Sequence, residues 1–376
     1  MSRITHDICD LLGVKHHTTP RPRSGESRSR RMVIAGGSGF LGQLLAAYFK
    51  PKGWEITLLT RTPQRAWPHG RQTAWDGRSL ASWVHELEGA DALINLAGRS
   101  VNCRYHARNR ALIKQSRTES TRVLGEAISL CTHPPIVWLN ASTATIYRHS
   151  YDQEMDEATG VIGATPEAKD AFSIEVATAW EETFEACAAP RTRKVLLRSA
   201  MVLGLNNDAN NVYRVLRRLV RIGLGGTMGH GRQYVSWIHE EDFCRAVEFL
   251  IEDKTMAGPV NLAAPNPLPN ARMMQLLRNI LGVPFGLPAS AWMLEIGAFL
   301  LRTETELILK SRNVVPGRLT TAGFQFRYPH MRDAFSALEQ RLRGNPCGRP
   351  DNQRSKPPRH AGGLTRLVAA HTKSSR

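Results

Sequence analysis

The stretch Met32-Val-Ile-Ala-Gly-Gly-Ser-Gly-Phe-Leu-Gly42 decides the fold that the chain predicts. Its first part, Met32 to Ala35, is a short apolar run that predicts a buried strand. Glycines follow at G-x-x-G-x-x-G spacing, and the run Phe40 to Phe49 then places apolar side chains near one face, which predicts a helix. A strand, a glycine turn and a helix in this order are the context that a dinucleotide-binding motif requires.

The three spaced glycines have distinct physical roles. Gly36 permits a tight turn, Gly39 lets a pyrophosphate approach the backbone, and Gly42 lets the helix pack closely against the strand. The first N–H groups of the helix and its positive dipole end would face the phosphates. An ordinary glycine-rich turn is the alternative, but the flanking strand and helix favour a nucleotide site. The residues predicted to bind the cofactor here are Gly36, Gly37, Ser38, Gly39, Phe40, Leu41 and Gly42.

Length and composition indicate a soluble globular protein. The 376 residues suffice for one or two domains, and 42% hydrophobic with 22% charged residues is ordinary for that class. The six cysteines are scattered without a C-x-x-C pair, so we expect reduced thiols, a cytoplasmic location and no metal site. The most apolar segment, Ala291 to Leu301, is short and carries Glu295, so it predicts a core helix and no membrane span.

The net charge of +17 is concentrated in two tails. Residues 1–30 carry six Lys/Arg against three Asp/Glu, and residues 341–376 carry nine against one. Both tails are rich in Pro, Ser, Gly and Arg, which predicts solvated, disordered extensions at 1–30 and 343–376. Weak polyanion binding by the tails is the alternative, and we expect no specific nucleic-acid partner. The N-terminal tail lacks an apolar core, so it is not a secretory signal, and its acidic residues argue against a transit peptide.

The end of the second predicted strand indicates which nicotinamide cofactor is used. The strand runs from Glu55 to Thr60, and in an NAD site an Asp or Glu is expected near its end to hold the ribose 2′-hydroxyl. This sequence has Thr60 and Arg61 there. A cation in place of the acid suits the 2′-phosphate, so NADP(H) is favoured and NAD(H) is the alternative. A solvated loop arginine is the other interpretation of Arg61.

Strands and helices alternate up to about residue 200, which predicts an α/β fold with a doubly wound parallel sheet of the Rossmann type. We assign residues 31–205 to this NAD(P)-binding domain. We expect residues 206–342 to form a smaller, mostly helical C-terminal substrate part, with some of its elements returning to the sheet. The further predicted elements of the first domain are Gln72–Trp75, Leu80–Leu87, Asp91–Asn95, Ala107–Leu130, Ile136–Ala141, Glu167–Cys187 and Val195–Arg198. Those of the second are Tyr213–Ile222, a strand at Arg232–His239, Asp242–Ile251, 270–281, 291–311 and a final helix within 324–342.

The motifs resemble those of the extended short-chain dehydrogenase/reductases. The resemblance rests on the glycine turn, on Asn95-Leu-Ala-Gly98, and on a strand that ends in Ser142-Thr143 and is followed by Tyr147. Three later stretches resemble the atypical sugar-nucleotide-epimerase-like branch: Arg198 to Gly204, Gly223 to His239, and Val315 to Phe324. The resemblance covers roughly residues 31–342. It implies an NAD(P)-binding Rossmann domain, with Asn95, Leu96, Ala97 and Gly98 beside the cofactor, closed by a smaller substrate part.

The catalytic residues that the resemblance implies are only partly present. Typical members use a Ser or Thr at the end of the fifth strand and a Tyr-x-x-x-Lys on the next helix. Thr143 matches the first, either orienting substrate or bonding local backbone. Phe172 and Val176 occupy the Tyr and Lys places, so the usual proton relay is missing. Tyr147 is the nearby phenol, with an acid role or a packing role as the two alternatives.

Two further features remain to be placed. The Tyr48 to Lys52 pair is the only Tyr-x-x-x-Lys in the chain, and it falls on the first helix, far from any expected substrate. Gln233, Trp237 and His239 are predicted to line the cleft between the two parts, where such sites usually form. For His239 the alternative is a structural role as the N-terminal cap of the following helix.

Two functions from different classes are therefore compatible with the sequence. One is an NADP(H)-dependent oxidoreductase or epimerase-like enzyme that acts on a carbonyl or hydroxyl of a small substrate. Nucleotide-linked and sugar-linked molecules belong to this class of substrates. The other is a nucleotide-binding regulator or scaffold that lost the reaction. The missing Tyr-x-x-x-Lys favours the second, and Thr143 with the glycine-rich C-terminal block favours the first. We expect a small-molecule partner and no membrane partner, and a homodimer is compatible with the sequence.

Overall fold

The computed structural model describes residues 29–64, 66–206, 211–290, 292–295 and 304–344. The strands are β1 Arg31–Ala35, β2 Glu55–Thr60, β3 Arg71–Ala74, β4 Ala92–Asn95, β5 Val137–Thr143, β6 Arg193–Ser199, β7 Met201–Leu203, β8 Tyr234–Val235, β9 Trp237–His239, β10 Gly258–Leu262 and β11 Leu268–Pro269. The α-helices are α1 Phe40–Phe49, α2 Ala107–Leu130, α3 Ala171–Ala186, α4 Val212–Arg221, α5 Glu240–Glu252, α6 Asn270–Leu281, α7 Glu306–Leu309, α8 Gly317–Thr321 and α9 Met331–Gly344. Short 3-10 helices are Lys50–Lys52, Ser82–Leu87, Ala144–Ile146 and Pro166–Ala168.

Seven parallel strands form the main sheet in the order β10-β6-β5-β4-β1-β2-β3. The chain moves outward from β1 in one direction to β2 and β3, and in the other to β4, β5 and β6. This reversal between β1 and β4 is the topological switch point at which α/β sheets bind ligands. The predicted doubly wound α/β fold is confirmed.

Alternation along β1 explains why helices cover both faces of the sheet. Met32 and Ile34 belong to one buried cluster, which includes residues of α1 and α5. Val33 and Ala35 belong to a second cluster on the opposite face, where Trp138 packs against Phe184 with ring centroids 4.6 Å apart. Successive strand side chains point to opposite faces, so a wholly apolar strand requires cover on both.

The glycine turn holds α1 close to the sheet. Gly36 has φ +70°, and a Cβ there would lie 2.5 Å from the Cα of Ala97. A Cβ on Gly42 would lie 2.2 Å from the Cα of Gly37. Helix α1 spans Phe40–Phe49, as the sequence predicts.

The predicted strand Arg232–His239 is wrong as a single element. The structure has β8, which pairs with β11, and β9, which pairs with β7. Ser236 separates them, because its hydroxyl donates to the carbonyl of Arg312 at 2.6 Å and accepts from the N–H of Val314 at 2.7 Å. The strand therefore breaks where a later segment of the chain bonds to its side chain.

The predicted helix 291–311 also extends too far at its C-terminal end. Within the described residues α7 ends at Leu309, and Lys310 has extended backbone angles. The Lys310 ammonium lies 2.6 Å from the carboxylate of Asp170, and both side chains are fully buried. This ion pair draws the chain away from a helical path. Residues 291 and 296–303 of the predicted helix lie outside the described residues.

The C-terminal segment contributes to the main sheet as well as to its cover. Strand β10 lies within 206–342 and pairs with β6, and α5 contributes Phe243 and Val247 to the same core cluster as α1. The described residues between 29 and 338 form one compact unit. Most of both predicted tails lies outside the described residues, and none of the described helices has the length and apolar character needed to cross a lipid bilayer.

We expect Gly42→Ala to lower the stability of the fold by about 1–3 kcal/mol, because the added methyl group meets backbone that cannot move aside. The matched control is Gly39→Ala, since a Cβ at Gly39 has no atom within 4 Å and its φ is −80°. Thermal unfolding followed by circular dichroism measures both. Equal midpoints for Gly42→Ala and wild type would contradict this account of the turn.

Candidate functional site

A cavity of about 440 Å³ opens at the carboxyl ends of β1, β4 and β5. Its walls come from the first turn of α1, the loop after β4, the end of β5, and the inner faces of α2 and α3. This is the switch point of the sheet, which is where α/β sheets of this type usually bind their ligands.

The wall formed by the glycine turn is shaped for an anion. Gly39 is the N-cap of α1, and no side chain accepts a hydrogen bond there. The first N–H groups of a helix have no partner within the helix and carry its positive dipole end. A Cβ at Gly39 would point into open space, so the absence of a side chain leaves room for a ligand against the backbone. These features fit the pyrophosphate of a dinucleotide.

The loop after β4 is shaped by a buried asparagine. Asn95 Nδ2 donates to Asn140 Oδ1 at 2.7 Å, and Asn95 Oδ1 accepts from the N–H of Ala97 at 3.0 Å. Asn95 is fully buried, so it positions the loop, while Leu96 and Gly98 line the cavity.

The predicted cofactor residues separate into two groups by position. Those that line the cavity are Gly36, Gly39, Phe40, Leu41, Gly42, Leu96 and Gly98. Those that lie outside its wall are Gly37, Ser38, Thr60, Arg61, Asn95 and Ala97. Thr60 is buried at the end of β2, beside β1, and Arg61 follows it with an exposed side chain.

Thr143 ends β5 and lines the cavity. Its hydroxyl oxygen accepts from the N–H of Thr145 at 3.1 Å and so begins the short helix Ala144–Ile146. The hydroxyl hydrogen remains available to donate, since accepting from Thr145 does not use it. Thr145 lines the same wall, and its hydroxyl oxygen accepts from Arg312 Nε at 3.0 Å.

Tyr147 is buried and does not line the cavity. An acid role would require access to the cavity. Its hydroxyl accepts from Arg198 Nη1 at 2.9 Å and donates to Asn261 Oδ1 at 3.0 Å. Burial raises the pKa of this phenol, although the charge of Arg198 acts in the opposite direction. Only 2% of Tyr147 is exposed, so the packing alternative describes its position.

Arg198 and Glu181 form a buried ion pair beneath the site that the sequence analysis missed. Two guanidinium nitrogens of Arg198 reach the two carboxylate oxygens of Glu181, at 2.9 and 2.7 Å. The hydroxyl of Ser142 donates to the same carboxylate at 2.5 Å. These bonds fix the end of β5 relative to α3 and therefore hold Thr143 in position. The pKa of Arg198 is raised by its partners despite burial, so its guanidinium stays charged.

Phe172 and Val176 both line the cavity. The places of the usual tyrosine and lysine therefore face the site, but with apolar side chains. The Tyr48–Lys52 pair lies elsewhere, where Lys52 donates to Tyr48 and both bond to Glu248 of α5.

The three residues predicted to line the substrate cleft are instead buried, and none of them lines this cavity. Gln233 Nε2 donates to the carbonyl of Met228 at 2.8 Å, and Trp237 Nε1 donates to the carbonyl of Asn266 at 3.2 Å. His239 is the N-cap of α5, since its Nδ1 accepts from the N–H of Glu241 at 3.2 Å. Of the two interpretations of His239, the N-terminal cap is therefore the one that fits, because its ring bonds to the first turn of α5.

The polar side chains around the cavity that the sequence analysis missed include four from separate parts of the chain. Tyr105, Arg117 and Ser173 line the cavity, and Glu306 of α7 accepts from the hydroxyl of Ser173 at 2.8 Å. Burial raises the pKa of Tyr105 to about 12 and lowers that of Arg117 to about 10. The spacing of these residues in the sequence follows no motif, because they come from four separate elements. Within the described part of the chain, no group of three His, Cys, Asp or Glu could hold a metal ion.

Comparison with known proteins assigns most of the chain to two sequence families. The NAD dependent epimerase/dehydratase family matches residues 32–263, and a domain of unknown function, DUF1731, matches residues 289–338. The epimerase family protein SDR39U1 of Bos taurus is 30% identical over 82% of this chain and 99% of its own. The epimerase family protein SERP0438 of Staphylococcus epidermidis is also 30% identical, over 82% of this chain and 99% of its own. The crystal structure of human SDR39U1 with NADPH has a TM-score of 0.71 and 27% identity, covering 83% of this chain and all of the human one.

We expect Glu181→Ala to destabilise the protein by about 3–5 kcal/mol, because it leaves the buried Arg198 guanidinium without its carboxylate. Glu185→Ala is the control on the same helix, since Glu185 is 57% exposed and lies 3.8 Å from Lys194. That exposed pair should contribute less than about 1 kcal/mol. Chemical denaturation measures both, and a similar loss in the two variants would show that the buried pair has no special role.

Proposed function

The chain belongs to the NAD dependent epimerase/dehydratase family, and we propose that it is an NADP(H)-dependent oxidoreductase acting on a carbonyl or hydroxyl of a small molecule. The observation that carries the proposal is one shared cavity. The glycine turn and the uncapped start of α1 open into the same space as the strand-end hydroxyl of Thr143. A site for the pyrophosphate and a group suited to a substrate oxygen therefore lie around a single volume.

The choice of NADP(H) is supported by the end of β2. No acidic side chain follows Thr60, and the exposed Arg61 offers a cation for a 2′-phosphate. Human SDR39U1, which resembles this chain over its whole length, is described with NADPH. When bound, NADPH would supply a hydride.

The wall of the cavity formed by α3 is apolar, and this favours a reaction that is shielded from water. Phe172, Val176 and Trp180 present mostly buried apolar surface there. Thr143 would orient the substrate oxygen by donating its hydroxyl hydrogen. Low polarity around such a donor strengthens its hydrogen bond in the transition state. The substrate class extends to nucleotide- or sugar-linked molecules.

A catalytically silent NADP(H)-binding regulator is the second candidate. The apolar Phe172 and Val176 in the places of tyrosine and lysine favour it. The two candidates share the cofactor site and differ in whether bound NADPH is oxidised by a carbonyl compound.

Titration of the full-length protein with NADPH and NADH, followed by fluorescence, tests the cofactor site. We expect Gly39→Val to abolish binding of both nucleotides, because the side chain would fill the space against the helix start. Arg61→Ala should weaken NADPH binding about tenfold, the effect of one charged hydrogen bond, and leave NADH binding unchanged.

Arg30→Ala is the control for the loss of one positive charge, since Arg30 precedes β1 at the opposite edge of the sheet. Its affinity for both nucleotides should equal that of wild type. If wild type bound neither nucleotide, the proposal would fail. If Arg61→Ala lowered NADH and NADPH affinity equally, the assignment of the 2′-phosphate would be wrong.

A further inference from the structure

Tyr105 brings a phenol next to the position that the catalytic tyrosine usually occupies, but from another part of the chain. It lies in the loop between β4 and α2 and lines the cavity. Its ring packs edge to face on that of Phe172, with centroids 4.9 Å apart and planes at 67°. Because Phe172 stands in the place of the usual tyrosine, the phenol of Tyr105 lies directly beside that place.

Residues of the C-terminal segment hold Tyr105 there. The carboxylate of Glu304 accepts from the backbone N–H of Tyr105 at 2.7 Å and so fixes the loop. Two residues later, Glu306 accepts from the hydroxyl of Ser173 at 2.8 Å, and Ser173 lines the cavity next to Phe172. Glu306 is 7% exposed, and its second carboxylate oxygen makes no hydrogen bond within the described part of the chain. Burial raises the pKa of Glu306, so this acid keeps its proton more readily than an ordinary glutamate.

A cation accompanies the phenol. Arg117 lines the cavity, and its Nη1 donates to the carbonyls of Arg99 and Ile113, at 3.1 and 2.9 Å. Attraction to the ionised form of Tyr105 raises the pKa of Arg117, against the larger effect of burial. The wall of the cavity therefore carries a phenol and a positive charge, which are the two groups that a Tyr-x-x-x-Lys supplies.

We propose that Tyr105 is the catalytic acid of this site, held in place by the bond from its backbone N–H to Glu304. The proposal rests on the proposed function, since it requires a carbonyl substrate and a hydride donor in the cavity. In the step, the phenol O–H bond breaks and its proton forms a new O–H bond on the substrate oxygen. The carbonyl carbon would accept a hydride, with its two electrons, from the C–H bond of the dihydronicotinamide, which is thereby oxidised. The C=O π pair moves to the oxygen and forms the new O–H bond with the phenol proton. Water then returns a proton to the phenolate.

The environment of Tyr105 also sets the pH dependence of the reduction rate. Burial raises the pKa of the phenol to about 12, so the group is protonated at neutral pH. A protonated phenol can donate to a forming alkoxide but cannot accept a proton from an alcohol. The reduction rate should therefore be constant near neutral pH and fall as the pH rises through the apparent pKa of the phenol in the complex.

A measurement that needs no substrate tests the position of Tyr105. A fluorinated tyrosine, which titrates at lower pH than tyrosine, is installed at position 105 of the full-length protein and followed by fluorine NMR. The positive nicotinamide ring of NADP⁺ should lower its apparent pKa, because it stabilises the phenolate. The same analogue at position 48 is the control, since Tyr48 lies at the contact between α1 and α5. An unchanged titration at position 105 with NADP⁺ bound would overturn the proposal.

Kinetics with phenanthrenequinone and a panel of aldehydes as probes test the acid role. Tyr105→Phe should lower kcat at least a hundredfold while the affinity for NADPH is unchanged, the range expected for loss of general acid catalysis. Adding Phe172→Tyr to this variant should restore part of kcat, because the phenol returns to the adjacent position. Tyr48→Phe, which removes the only Tyr-x-x-x-Lys of the sequence, should retain wild-type kcat.

The outcomes separate this proposal from the one on which it rests. Failure of the wild type to bind NADPH would remove the proposed function. Binding of NADPH with normal turnover by Tyr105→Phe would leave the function standing and remove Tyr105 as the acid. Binding without turnover of any probe, but with the titration at position 105 shifted by NADP⁺, would support the placement of the phenol beside the nicotinamide.

Discussion

The close approach of backbone at the glycine turn is the constraint on which the site depends. Gly42 lies against Gly37, and Gly36 lies against Ala97, at separations that leave no room for a Cβ. These contacts bring the start of α1 to the carboxyl edge of the sheet beside the loop after β4. The anion-binding end of the helix and the strand-end hydroxyl of Thr143 then share one cavity. If α1 lay farther from the sheet, its N-terminus and the hydroxyl of Thr143 would no longer face the same cavity.

A second constraint closes the other side of the cavity. The segment from Glu304 to Val314 is tied to the Rossmann part by charged and hydrogen-bonded contacts. The buried Lys310–Asp170 pair and the bond from Lys310 to the carbonyl of Thr145 fix its path. The same segment places Glu304 and Glu306 against Tyr105 and Ser173. The C-terminal part thus positions Tyr105 and Ser173, which line the cavity, through residues that do not themselves need to contact a substrate.

Local sequence patterns predicted the fold well because they follow from local physics. The ends of β2, α1 and α2 agree with those expected from apolar runs, glycines and helical periodicity. The site was predicted less completely, because its side chains meet only through the tertiary structure. Tyr147 and His239 were candidates by position along the chain, yet Arg198 and the helix start that follows His239 use their polar atoms. Tyr105 carries no such signal, since its neighbours Phe172 and Glu306 are distant in sequence.

The most direct test of the central claim is an experimental structure of the full-length protein with NADP⁺. We expect the pyrophosphate at the start of α1, within hydrogen-bond distance of the N–H groups of Phe40 and Leu41. We also expect the nicotinamide ring between Thr143 and the Tyr105–Phe172 wall. A pyrophosphate bound elsewhere, or a nicotinamide ring that leaves this wall uncovered, would contradict the proposed site.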